Sequence, residues 1–156
     1  MLIIILILAI VSGQEAKRTP VEIDNIPIQI SECLSRQTSF LVIDRRMNPY
    51  YLRADFNGDS RTDYVVLVQD NMTNKRGFAF CLGGPKPVLH VIGAGKLFAL
   101  ESGVERDNLG SFDVWGIADR KSMGTKHDAL YLERAESGSG LVYWQRGRFA
   151  WKQLAF

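Results

Sequence analysis

Between residues 54 and 68 the chain reads ADFNGDSRTDYVVLV. Counted from Asp55, hard oxygen donors fall at alternate positions: Asp55, Asn57, Asp59 and Asp63 stand at one, three, five and nine. Arg61 stands at seven, where a backbone carbonyl serves and the side chain matters little. Carboxylates this close repel one another, and a bound divalent cation reverses the sign of that interaction. The chemistry implied is calcium binding through Asp55, Asn57, Asp59, Asp63 and the carbonyl of Arg61. The alternative is a turn rich in Asx residues whose side chains bond their own backbone without metal.

Such a loop needs elements on both sides to hold its ends together. Here they read as strands, Tyr50 to Ala54 before it and Tyr64 to Gln69 after it, with β-branched and aromatic residues in short runs. An EF-hand opens similarly but requires helical flanks and a glutamate at position twelve, where this chain has Val66. The EF-hand is therefore excluded. The acidic loop leading into an apolar strand resembles the calcium loops of FG-GAP and VCBS-type repeats, as in the integrin α-chain β-propeller. The likeness covers residues 54–68 only and occurs once, so a full propeller is excluded. It implies a calcium-binding hairpin and nothing about partners. Position six of those loops is commonly glycine, whereas Ser60 stands here, with Gly58 nearby. Serine tolerates positive φ less well, which weakens affinity. With dissociation constants of about 0.1–1 mM, typical of extracellular modules, millimolar calcium adds roughly 0.4–1.4 kcal/mol of stability. That is a structural pin.

Other candidate chemistry is thinner. Gly93-Ala94-Gly95-Lys96 follows a strand as a phosphate loop would, but His90 stands where the first glycine is needed and Leu97 replaces the required Ser or Thr. Ser137 to Gly140 lacks the glycine spacing of a nucleophile elbow. His127 is followed by Asp128, with Asp113, Asp119, Glu133 and Glu136 nearby in sequence. A hydrolase could use His127 as base with a carboxylate orienting it, yet no serine or cysteine presents itself as nucleophile. No catalytic residue is assigned. Asn71-Met72-Thr73 is a glycosylation sequon in a polar turn.

Composition bounds the rest. Apolar content of 46% and charge of 23% are those of a globular chain. A net charge of +2 gives no field that would gather nucleic acid or anionic membrane. Leu2 to Val11 is an unbroken apolar run, the length of a signal-peptide core and about half of what spans a bilayer. Cleavage is expected after Gly13, followed by a flexible leader over 14–21 and one domain over 22–156. Export to the periplasm or the extracellular space makes a Cys33–Cys81 disulfide the expected use of the two cysteines.

Glu22 to Ser35 reads as the single helix. Ile23, Ile26, Ile30 and Leu34 recur at spacings of three and four, Ile28 falls off that face, and Asp24 or Asn25 offers a cap. Beyond residue 38 short strands alternate with turns: 40–44, 50–54, 64–69, 77–82, 88–92, 112–118, 129–133, 141–145 and 148–154. Gly93 to Gly110 reads as a long loop with at most a helical turn. In the last hairpin Arg146-Gly147 forms the tip, and Val142, Trp144, Phe149 and Trp151 share one face. That face is core or, alternatively, a sugar platform. The expected fold is a small antiparallel all-β single domain with one short N-terminal helix. The expected function is a non-enzymatic binding module for another protein. The alternatives are a carbohydrate-binding module using Tyr50, Tyr51 or Tyr143, and a small hydrolase using His127.

Overall fold

The computed structural model describes residues 26–36, 40–100 and 103–155. The expected signal segment, the leader and residues Glu22 to Asn25 lie outside the described residues. The chain is mostly β. Helix α1 (Ile28–Ser35) is followed by β1 (Leu41–Ile43), β2 (Tyr51–Ala54), β3 (Asp63–Asp70), β4 (Arg76–Leu82) and β5 (Val88–Gly93). Then come β6 (Phe98–Ala99), β7 (Glu105–Arg106), β8 (Val114–Ala118), α2 (Arg120–Met123), β9 (Ala129–Arg134), β10 (Gly138–Gln145) and β11 (Arg148–Ala155). All pairing is antiparallel, and neither main sheet closes into a barrel.

The first sheet has β1 and β2 on one edge of β3, then β4 and β5. β1 pairs with the end of β3, Leu41 opposite Asp70, and β2 with its start, Ala54 opposite Asp63. Between them residues 44–50 loop out at Leu67, whose N–H donates to Tyr50 and whose carbonyl accepts from Asp44. The second sheet is the meander β8-β9-β10-β11.

The two sheets face each other across one core. Val65, Leu67, Phe78, Phe80 and Ile92 from the first meet Trp115, Leu130, Leu132, Val142 and Phe149 from the second. Phe80 stacks on Phe149 with ring centroids 3.8 Å apart. On its far side the first sheet is covered by α1, where Val66, Val68 and Ala79 pack with Ile30. β3 is thus apolar on both faces, which is why Tyr64 to Val68 reads as a continuous run. The Cys33–Cys81 disulfide is formed and fastens α1 to β4 across 48 residues of chain, with Cα atoms 6.0 Å apart. Ile30 and Cys33 are buried whereas Ile28 is 64% exposed, as the helical spacing requires.

Three expectations need correction. α1 starts at Ile28 with Pro27 as its N-cap (φ −51°, ψ 132°) and no side-chain cap, because proline disfavours helical backbone in the residue before it and so sets the boundary there. Residues 93–110 hold a small antiparallel hairpin, β6–β7, in place of a helical turn. Its strands are only two residues each, too short for alternation to register in sequence. Helix α2, a single turn, is also absent from the sequence reading, having no apolar periodicity.

The last hairpin matches its expectation. Trp144 faces Phe149 and Val142 faces Trp151. Arg146 (φ 51°) and Gly147 (φ 81°) both take the left-handed conformation that a two-residue hairpin turn of this twist demands.

The acidic loop as candidate metal site

The loop from Asp55 to Asp63 joins β2 to β3, whose pairing of Ala54 with Asp63 closes its base. Phe56 is fully buried and meets Phe80 edge-on, which nails the loop to the shared core. The side chains at alternate positions turn back on the loop's own amides. Asp55 accepts from the N–H of Gly58 at 2.7 Å and of Ser60 at 3.0 Å. Asn57 Oδ1 accepts from Asp59 N–H at 3.0 Å, and Asp59 Oδ1 from Arg61 N–H at 2.9 Å. Gly58 (φ 79°) and Ser60 (φ 65°) both adopt left-handed backbone, so the serine at position six takes the conformation a glycine would normally supply.

Asp63 is the exception. It is fully buried, and its carboxylate accepts from Phe56 and Asn57 N–H on one oxygen and from Gly83 N–H, at 2.7 Å, on the other. Burial pushes its carboxyl above the ordinary carboxylate range, against the pull of those three amides. The fold thus places Asp55, Asn57 and Asp59 along the loop and draws Asp63 into its base. Among the described residues no group of three or more His, Cys, Asp or Glu side chains converges at metal-ligating distance. The loop's oxygens are held by backbone amides, and a cation would need some of them to turn.

The loop does not stand alone. Asp128 Oδ2 accepts from Asp55 N–H at 2.9 Å, and Asp128 N–H donates to the Asp55 carbonyl at 3.1 Å. Arg120 of α2 holds the other Asp128 oxygen at 2.5 Å. This reciprocal pair ties the β2–β3 loop of the first sheet to the connection before β9 of the second. The His127 ring lies directly on Gly58, where a Cβ would fall 2.0 Å from its Cε1 and Nδ1. Sequence reading weighed Asp128 only as a partner for His127 and missed this clasp. Its members lie 73 residues apart, and no local pattern announces them.

The competing sites come apart in the fold. His127 has no carboxylate hydrogen-bonded to it among the described residues, since Asp128 is engaged by Arg120 and the Asp55 amide. Tyr50 and Tyr51 contact each other edge-on at one sheet edge, while Tyr143 packs on the outer face of the second sheet with Leu141 and Tyr131, so they form no common platform. Gly93 to Lys96 is a tight turn closed by Lys96 N–H on the Gly93 carbonyl. Of the aromatic hairpin face, Val142, Trp144, Phe149 and Trp151 all join the shared core. Met72 is 73% exposed, in keeping with a surface turn at the sequon.

Among the described residues no helix is long and apolar enough to cross a membrane. No family model, no curated protein and no solved structure matches the chain. What fold and site define is a class: a disulfide-clamped pair of antiparallel sheets with an acidic loop fastened across them.

Proposed function

We propose that this chain is an exported, non-enzymatic binding domain whose 55–63 loop takes a structural calcium ion. One observation carries the metal assignment. Asp55, Asn57, Asp59 and Asp63 stand at positions one, three, five and nine of a single loop whose base is closed by the pairing of Ala54 with Asp63. Rotation of Asp55 and Asp59 about their side-chain bonds would aim oxygens at a common point, joined by Asn57 and the Arg61 carbonyl, with Asp63 fixing the base. Because Asp128 couples this loop to the second sheet, a cation here would pin both sheets. The disulfide is in keeping with export.

A thermal melt in excess calcium and again in excess chelator tests this, alongside Asp59→Ala. Calcium should stabilise the parent chain by about 0.4–1.4 kcal/mol and leave the variant unmoved. An equal response of both proteins, or none in either, would reduce the loop to a metal-free Asx turn.

The partner is read as another protein. Phe40 (53% exposed) and Val42 (41% exposed) lie at β1, which among the described residues pairs only with β3 and leaves its other edge open. Phe40's carbonyl accepts from Asn71 N–H, next to exposed Met72. An open strand edge with apolar side chains can accept an added strand. A partner recovered by the parent chain should be lost with Val42→Lys; retention by that variant would move the interface elsewhere.

A further inference from the structure

Where the β6–β7 hairpin and residues 108–112 meet the β9–β10 turn, a half-enclosed cavity of about 250 Å³ opens from the core. Its lining is mixed: Leu109, Leu132 and Val142, all buried, and the ring of Trp151 make an apolar floor, and Asn108, Ser111 and Ser139 are among its polar members. Arg106 and Arg134, both exposed, also line it. We propose that this cavity binds a small organic acid, the apolar body inside and the carboxylate held by Arg106 and Arg134. The assignment is independent of the calcium loop, whose residues do not line it.

Charge is the first reason. Two exposed arginines line one cavity, and among the described residues no carboxylate does. Among the described residues neither arginine has an ion-pair partner. Of the acids near in sequence, Asp107 is held by Lys75, Glu133 by the Tyr131 hydroxyl and Asp113 by the Ala135 amide, while Glu105 and Glu136 are exposed and do not line the cavity. A guanidinium keeps its charge at every working pH, and its forked donors match the two oxygens of a carboxylate. An arginine pair left open over an apolar floor therefore suits a ligand with an anionic head and a hydrocarbon body. An inorganic anion would leave the floor wet, and a neutral hydrocarbon would leave the pair unused.

The second reason is that the wall is set before any ligand arrives. Trp151 lies against Gly140 so closely that a Cβ there would fall 2.1 Å from its Cζ2. Its indole N–H donates to Gln153 Oε1 at 3.2 Å, and Gln153 Nε2 donates to the Ser139 carbonyl at 3.0 Å. This chain of contacts fixes the ring at the cavity side, and a preorganised wall spares a ligand the cost of ordering it. Size completes the case. A cavity of about 150 Å³ accepts benzene, so this one has room for roughly ten non-hydrogen atoms, the size of octanoate or phenylacetate.

The test titrates the full chain with octanoate, octanol and inorganic phosphate by calorimetry, with intrinsic tryptophan fluorescence as a second readout. Octanoate should bind saturably at one site. The double variant R106Q/R134Q, altered only at exposed positions, should weaken octanoate at least tenfold while leaving octanol unchanged. Leu100→Trp, which fills the mouth, should abolish both. The proposal is overturned by an absence of saturable octanoate binding, by equal octanoate affinity in R106Q/R134Q, or by phosphate displacing octanoate at equal concentration.

Discussion

The two sheets solve the same problem differently. The first is covered on both faces, by α1 on one side and the second sheet on the other. The second has no such cover on its outer side among the described residues, only a small satellite cluster of Ala118, Ala129 and Leu141 with Met123 of α2, Tyr131 and Tyr143 around it. The difference follows from where apolar residues sit. β3 is apolar at successive positions from Val65 to Val68, all buried, whereas β8 buries Trp115 and Ala118 and leaves Val114 and Ile117 exposed. A sheet that is apolar on both faces must find two covers, and the helix with its disulfide is the second one.

The largest blow to both sheets falls on what they share. Phe80 is fully buried and stacks on Phe149 while meeting Phe56 edge-on, so it joins the first sheet, the second sheet and the acidic loop. Phe80→Ala should cost about 3–5 kcal/mol, a loss of transfer energy plus the cavity left behind. Urea unfolding followed by far-UV circular dichroism measures it. A loss under about 1 kcal/mol would mean that the two sheets do not depend on this stack.

Next comes the difference between the sheets. Replacing Cys33 and Cys81 together by alanine frees α1 from β4 and should cost about 2–4 kcal/mol, since the closed segment is long. The loss belongs to the first sheet. Amides of β3 and β4 should gain hydrogen-exchange rate relative to those of β9 and β10. Uniform acceleration across both sheets would show that they open as one unit and erase the distinction drawn between them.

How far the sequence reaches differs between these regions in the same way. Most strands were legible, because Phe78, Phe80 and Leu82, or Val142 and Trp144, alternate along single elements. So was the Cys33–Cys81 bond, since only two cysteines exist and an export segment was inferred. The acidic loop was legible as a spacing of oxygen donors, and its left-handed Ser60 was anticipated as the strained position. What escaped was everything made by long-range contact. Asp128 reaching the Asp55 amide, His127 covering Gly58, and Arg106 and Arg134 lining one cavity each require the sheets to be stacked first. The β6–β7 hairpin escaped for another reason: two-residue strands carry no period to read.

The smallest expected effect probes the seam between the sheets by pH. His90 points from β5 toward the second sheet, edge-on to Trp144 at 5.2 Å and to Phe149 at 5.8 Å. Burial against these rings holds its pKa below the ordinary 6.5. The sign follows from proton uptake. Below pH 6.5 the unfolded chain protonates this imidazole while the folded chain resists, so the unfolded state binds more protons and stability falls as the pH falls toward the folded value. Above 6.5 both states are neutral at His90 and its contribution is flat. Tm should therefore drift down as the pH is lowered from 6.5 toward the carboxylate range, and His90→Phe, which keeps an aromatic ring in the seam, should lessen that slope. An unchanged slope in the variant would show that the seam admits the imidazolium without penalty, and that the two sheets meet more loosely at β5 than at Phe80.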